Sequence, residues 1–81
     1  METRVAVAAV IVEDQESVAS LNDLLHQYSA YIIGRMGIPH KPKNIAVISI
    51  AMDAPNDVIS ALTGKIGRLK GVTVKTAYSS F

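Results

Sequence analysis

The sequence contains one pattern of residues twice, and the second copy begins forty positions after the first. The stretch VAVAAVIVEDQESVAS from Val5 aligns with IAVISIAMDAPNDVIS from Ile45. In each copy an apolar, β-branched run ends at an acidic turn, after which the apolar spacing changes from that of a strand to that of a helix. Each half of the chain is therefore predicted to fold as a strand followed by a helix.

A second strand is predicted after each helix. The helices are predicted over about residues 14–29 and 55–69, each with one apolar stripe that can cover a sheet, and the strands that follow them over 31–38 and 72–78. The order is βαββαβ. Right-handed crossovers place the first and third strands at the centre of a four-stranded antiparallel sheet with both helices on one face. The sequence thus predicts an α+β, ferredoxin-like fold with residues 1–81 as one domain.

The connection between the two halves is the stretch PHKPKN, residues 39–44. Proline has no backbone N–H to give to a strand ladder. Pro39 and Pro42 therefore predict a loop here, with strand pairing blocked.

The two central strands are apolar on both of their faces. In the first strand Val5, Val7, Ala9 and Ile11 alternate with a second apolar set, and the third strand, 45–52, offers no polar face either. A sheet with helices on one side and water on the other should alternate apolar and polar residues. Burial of about 800 Å² per partner is a standard protein interface. We therefore predict a homo-oligomer, either a dimer or a tetramer.

Composition excludes several classes of protein. Eight Lys and Arg against seven Asp and Glu leave a net charge of +1, so no overall field draws the chain to nucleic acid or to an anionic membrane. The absence of Cys excludes disulfides and thiolate metal sites. The apolar run 5–12 is too short to cross a bilayer, so no membrane association is expected and the cytoplasm is the expected location. The sequence shows no paired nucleophile and base that would indicate an enzyme. No cofactor is predicted.

The stretch GKIGRLKG, residues 64–71, is rich in glycine and basic residues but is not a phosphate loop. A P-loop requires a glycine where this chain has Ile59 and a hydroxyl where it has Ile66. The GXXG loop of KH domains, which clamps nucleic acid, joins two helices. Here a strand is predicted within a few residues, which argues against that alternative.

The glycines of this stretch have two different predicted roles. Gly64 and Gly67 fall opposite the apolar stripe of the second helix, which predicts close approach by a neighbouring subunit or a ligand. Gly71 is predicted to adopt the left-handed conformation that ends a helix.

Three other kinds of site were weighed. Metal binding would use His26 and His40, but neither has a further ligand at local spacing. RNA recognition would need stacking aromatic residues on the central strands, which have none. An acylphosphatase-like anion cradle after the first strand is disfavoured because Glu13 and Asp14 would repel phosphate.

Two stretches, 24–41 and 56–79, resemble the small regulators of the iron-only hydrogenase system. The most specific elements of the resemblance are the runs GRMGIP, 34–39, and ALTGKIG, 61–67. The resemblance implies an ACT-like, ferredoxin-like fold similar to the effector-binding domain of nickel-responsive repressors. It also implies an oligomer and a role in the regulation or maturation of hydrogenase.

Two departures limit what the resemblance implies. This sequence has no ribbon-helix-helix segment of the kind that reads DNA in nickel repressors, so it is not expected to bind an operator directly. It also lacks their cysteine nickel ligand, so the metal site is not carried over.

The leading hypothesis is a non-enzymatic transcriptional or regulatory domain that assembles through its sheet and senses a small-molecule effector at an interface. Its partners would be copies of itself and a regulatory or hydrogenase-maturation protein. The alternatives are a metal- or small-molecule-binding module that uses His26 and His40, and a weak nucleic-acid-binding domain. The candidate effector and interface contacts are Arg35, Met36, Gly37, Gly64, Lys65 and Gly67.

Overall fold

Four strands form one antiparallel sheet, and two helices cover one of its faces, in the computed structural model, which describes residues 2–80. The strands are β1 (Arg4–Val12), β2 (Ile32–His40), β3 (Ile45–Ala54) and β4 (Val72–Tyr78), and the helices are α1 (Val18–Gln27) and α2 (Asn56–Gly67). The spatial order β2-β3-β1-β4 places β1 and β3 at the centre. The predicted α+β, ferredoxin-like arrangement is confirmed.

The strands bury alternate residues against the helices. In β1 the side chains of Ala6, Ala8, Val10 and Val12 are buried, whereas Val7 retains 40% of its exposure. Because successive side chains in a strand point to opposite faces, the buried set faces the helices and the other set faces away from them. The hydrophobic core therefore lies between the sheet and the helix layer.

Both helices bury the predicted apolar stripe. Leu21 and Leu25 of α1 and Ile59, Leu62 and Ile66 of α2 are all buried in the core, each at 2% exposure or less. Neither helix is long and apolar enough to cross a membrane within the part of the chain that the structure describes.

The first helix begins later than the predicted position 14. The Asp14 side chain accepts a hydrogen bond from the Glu16 backbone N–H at 2.9 Å, and residues 15–17 form a 3₁₀ turn. Ser17 is buried, and its hydroxyl donates to the Lys70 carbonyl oxygen at 2.6 Å. These two bonds hold the entry turn in place, and regular α-helical bonding starts at Val18.

The prediction of a loop from residue 39 is wrong, because β2 continues through Pro39 to His40 and pairs Pro39 with Ala46. β2 is an edge strand, and an edge strand tolerates proline since half of its N–H groups have no partner strand. The chain then reverses through a 3₁₀ turn at Lys41–Lys43 and through Asn44, whose φ of 53° is left-handed.

Candidate functional site

An open groove of about 360 Å³ lies between the two helices. Its walls carry two cations from α2 and the residues after it, and one carboxylate from α1. We call it the helix groove, and its lining residues are Ser20, Asp23, Leu24, Gln27, Lys65, Arg68 and Leu69.

Lys65 is held across the helix groove by a residue from the other helix wall. Its Nζ donates a hydrogen bond to the Tyr28 hydroxyl oxygen at 2.9 Å and lies 5.2 Å from the centroid of the Tyr28 ring. Tyr28 follows α1 and packs against the core. The two distances place the ammonium group beyond the hydroxyl end of the ring, so the hydrogen bond is the contact that holds it.

The second candidate feature is the sheet face that the helices leave uncovered. Its apolar side chains keep a large part of their exposure, including Val7 at 40%, Val47 at 37%, Met36 at 61% and Ile38 at 52%. We call this surface the open sheet face; the strand register assembles it from Val5, Val7, Ala9, Ile11, Gly34, Met36, Ile38, His40, Ile45, Val47, Ser49, Ala51, Asp53, Thr73, Lys75 and Ala77. Two members of this set are charged: Lys75 lies on the edge strand β4, and Asp53 lies near the end of β3, opposite Val5.

The structure separates the three candidate residues on β2. Arg35 donates from Nη2 to the Asn22 side-chain oxygen of α1 at 3.1 Å, which places Arg35 on the helix side of the sheet. Met36 is the next residue and lies on the open sheet face. A Cβ added to Gly37 would lie 4.0 Å from Cγ1 of Ile48, a buried core residue. Because neighbours on a strand face opposite ways, Arg35 and Gly37 share the helix side and Met36 lies on the other, so the three residues do not line one site.

The structure also separates the candidate residues of α2. Lys65 lines the helix groove. A Cβ at Gly64 would lie 3.8 Å from Arg68 Nη2, so this glycine is next to the groove.

The placement of Gly67 opposite the apolar stripe is wrong, since a Cβ there would meet Cγ1 of Val74 on β4 at 3.3 Å. The close approach predicted at this residue comes from the chain's own strand.

The two histidines lie on different elements. His26 is exposed near the end of α1, and His40 is exposed at the end of β2, where it lines a cavity of about 210 Å³ beside Lys41. Within residues 2–80, no three His, Asp or Glu side chains come close enough together to hold a metal ion. Metal binding by these histidines stays a prediction.

Sequence reasoning missed most of the helix groove. Lys65 and Arg68 are three residues apart, which is the spacing that puts two helical side chains on one face, so this pair was detectable. Asp23 and Leu24 belong to the other helix. Their position opposite Lys65 depends on how α1 and α2 pack, and no local pattern encodes it.

The architecture places this protein in the class of ferredoxin-like α+β proteins. An unknown protein from Galdieria sulphuraria shares the fold, with 18% identity, a TM-score of 0.67, and coverage of 99% of this chain and 47% of that one. A formyltetrahydrofolate deformylase from Pseudomonas putida KT2440 shares it at 9% identity and a TM-score of 0.64, over 90% of this chain and 28% of that one. At such identities the likeness shows the fold alone.

The family is shown by two closer matches. The model of the TM1266-like family, described as iron-only hydrogenase system regulators, matches residues 4–76. The uncharacterized protein TM1266 from Thermotoga maritima is 36% identical, with a TM-score of 0.91 and coverage of 95% of this chain and 98% of that one. The chain belongs to the TM1266-like family of iron-only hydrogenase system regulators. No curated protein matches it.

Proposed function

We propose that this protein is a non-enzymatic regulatory domain of the iron-only hydrogenase system that works as a homo-oligomer and responds to a small-molecule effector. Its expected macromolecular partners are copies of itself and a regulatory or maturation protein of that system. Membership of the family supports the assignment to the iron-only hydrogenase system. The observation that carries the assembly is the open sheet face, where Val7, Val47, Met36 and Ile38 each expose more than a third of their surface.

The size of the open sheet face supports its role as an interface. Four strands about 4.8 Å apart, with nine residues of β1 at about 3.3 Å each, give a flat area of about 600 Å². The relief of the side chains raises this area toward the roughly 800 Å² that each partner buries in a standard interface. Apolar patches of more than a few hundred Å² mark interaction surfaces in soluble proteins. A second copy offers the same apolar surface, which suits a two-fold contact.

The charges support a second copy as the occupant. The core of the open sheet face, on β1 and β3, has no charged residue between Val7 and Ile11 or between Ile45 and Ala51. Lys75 on the edge strand β4 and Asp53 near the end of β3 lie toward the rim of this face, where charged residues can stay hydrated. Depletion of charge at the centre with polar residues at the rim is the usual anatomy of a protein interface.

A charge in the centre of the open sheet face should separate the subunits. We expect the unchanged protein to sediment as a dimer or larger species and Val7→Glu to sediment as a monomer, because burial of an unpaired carboxylate is strongly unfavourable. Val7 is 40% exposed within one copy, so the variant should keep its fold by circular dichroism. Sedimentation velocity is the measurement.

The matched control places the same charge on the other layer. Ala19 is exposed on α1, and Ala19→Glu should assemble like the unchanged protein. A monomeric unchanged protein throughout the micromolar range would refute the assembly, and so would a Val7→Glu variant that assembles normally.

A further inference from the structure

The cations of the helix groove have no anionic partner in the described part of the chain. Lys65 and Arg68 lie three residues apart and line the same groove, so their like charges oppose each other. The ion pair found among residues 2–80 joins two other groups, Lys70 and Asp14, at 3.6 Å. Two neighbouring cations that no carboxylate neutralises form a place where a bound anion would lower the electrostatic energy.

The ammonium group of Lys65 is positioned before any ligand arrives. Its hydrogen bond to the Tyr28 hydroxyl group, at 2.9 Å, holds it at the groove. A lysine side chain that is already ordered loses less entropy when it binds a ligand. Lys65 has three N–H donors and uses one on Tyr28, so two remain for an anion.

The floor and the far wall of the groove differ from the cationic wall. Leu24 and Leu69 line the groove and also pack against the core, so the floor is apolar and rigid. Asp23 stands on the wall formed by α1, and it forms no ion pair with Lys65 or Arg68 in the described chain although all three line one groove. The groove therefore offers a carboxylate, two cations and the apolar surface of the two leucines to one ligand.

We propose that the helix groove binds a small organic acid. The carboxylate would lie against Lys65 and Arg68, the apolar body on Leu24 and Leu69, and a hydrogen-bond donor at the other end would meet Asp23. The groove is open to solvent, and its volume of about 360 Å³ lies at the low end of the range of about 300–1,000 Å³ for ligand sites, which suits a small and weakly bound acid. This inference rests on the proposed effector response and names the chemical class of the effector.

The position of the groove separates it from the proposed interface. The helix groove lies in the helix layer, whereas the open sheet face lies on the other side of the sheet. Leu24 and Leu69 pack against the same core as the buried residues of β1 and β3. A ligand could therefore change assembly only through that shared core, by binding the two assembly states with different affinity.

Three probes of equal chain length test the chemistry. These are 5-hydroxypentanoate, which has the acid and the donor, pentanoate, which has the acid alone, and 1,5-pentanediol, which has no acid. The measurement is the NMR shift of the Leu24 and Leu69 methyl groups in the assembled protein. We expect both acids to move these signals, with the hydroxy acid binding about fivefold tighter through its extra hydrogen bond. The diol should leave them unchanged.

Variants with matched controls test the residues. Lys65→Met should weaken binding of both acids by about tenfold or more. Lys41→Met removes the same charge at the exposed turn after β2, away from the groove, and should leave binding unchanged. Asp23→Ala, which removes the acceptor as well as the charge, should bring the fivefold preference for the hydroxy acid close to one, while both acids bind more tightly because a nearby negative charge is gone.

The proposal fails if the diol shifts the leucine methyl groups as much as the acids do, or if Lys65→Met and Lys41→Met weaken binding equally. It also fails if neither acid moves these signals at about 50 mM, well above the roughly millimolar Kd expected for probes of this size. Sedimentation of the same samples keeps the two proposals distinct. An assembled protein that ignores the acids refutes only the groove, and a monomer that binds them at Lys65 refutes only the assembly.

Discussion

Gly71 shows how one residue can link two parts of the fold. Its φ of +69° lies in the left-handed region, as predicted, but it does not end the helix, because α2 ends at Gly67. Its carbonyl oxygen accepts a hydrogen bond from the Glu13 N–H at 2.7 Å. The backbone is crowded here, since a Cβ on Gly71 would lie 2.7 Å from the Cβ of Asp14 and 3.0 Å from its nitrogen. The turn after β1 and the turn before β4 meet at this contact, and only glycine fits it without strain.

Gly71→Ala should therefore be strongly destabilising. The left-handed conformation costs a residue with a Cβ about 1–2 kcal/mol, and the contact with Asp14 adds to this, so we expect a loss of about 2–4 kcal/mol in the free energy of unfolding. Chemical denaturation measures the change. Gly34→Ala is the matched control, because a Cβ on Gly34 would meet nothing within 4 Å. Equal stability of the two variants would contradict this reading of Gly71.

The sequence predicts the backbone conformation of a residue better than its contacts with distant residues. The position of Gly71, just before a strand and after a basic helix end, was enough to predict its conformation. Gly67 was misplaced because its neighbour Val74 is on β4, and that contact arises only when α2 packs on the sheet. Nearby residues determine local conformation, but they do not determine a long-range contact.

At the scale of elements, β2 differs most from the other strands. Eight of its nine residues are exposed, whereas β1 and β3 bury alternate residues under the helices. Arg35 of β2 donates a hydrogen bond to the Asn22 side chain of α1. The helices leave most of β2 uncovered. Its exposed Met36 and Ile38 extend the open sheet face to this edge, so β2 contributes more to a surface for assembly than to the core.

The helix α2 contributes to the core through its buried stripe, and the depth of burial should set the cost of shortening each side chain. Leu62 is 1% exposed, and Leu62→Ala should lower the free energy of unfolding by about 2–5 kcal/mol through lost burial and the cavity left behind. Leu69, which is partly buried after the end of α2, is the matched comparison. Leu69→Ala should cost clearly less. Denaturant titration of both variants checks the order, and a reversed order would contradict this account of the core.

At the scale of the whole molecule, the helix layer and the open sheet face are the two outer surfaces, and the hydrophobic core and the sheet lie between them. The sheet is one residue layer thick, its helix side is buried, and its other side is the open sheet face. With only 81 residues, the chain buries a smaller share of its surface than a larger domain can. Assembly through the open sheet face would add a second buried layer.

Assembly should make thermal stability depend on protein concentration. If folding and association are linked, a tenfold rise in concentration adds about 1.4 kcal/mol to the stability of a dimer, so Tm should rise by several degrees. Scanning calorimetry at three concentrations measures this. Val7→Glu, expected to be a monomer, should show a Tm that does not change with concentration. A Tm of the unchanged protein that is equally constant would count against assembly.

The candidate site was less predictable than the fold. Lys65 was identified from sequence, and its neighbour Arg68 could have been, because spacing along one helix determines which side chains share a face. The wall that contains Asp23 and the apolar floor at Leu24 come from a different helix, about forty residues away in sequence. Arg35 and Met36 are adjacent in sequence, which suggests one site, yet a strand sends adjacent side chains to opposite faces.

The amino-acid sequence by itself determined the order of strands and helices, the central position of β1 and β3, and the largely apolar character of both faces of these two strands. Periodicity and the handedness of crossovers depend on local sterics, which each short stretch carries. Only the tertiary structure decided which residues of the two helices meet in the helix groove, and that Gly67 lies against Val74. Those contacts depend on how whole elements pack, and packing is a property of side chains that are distant in sequence.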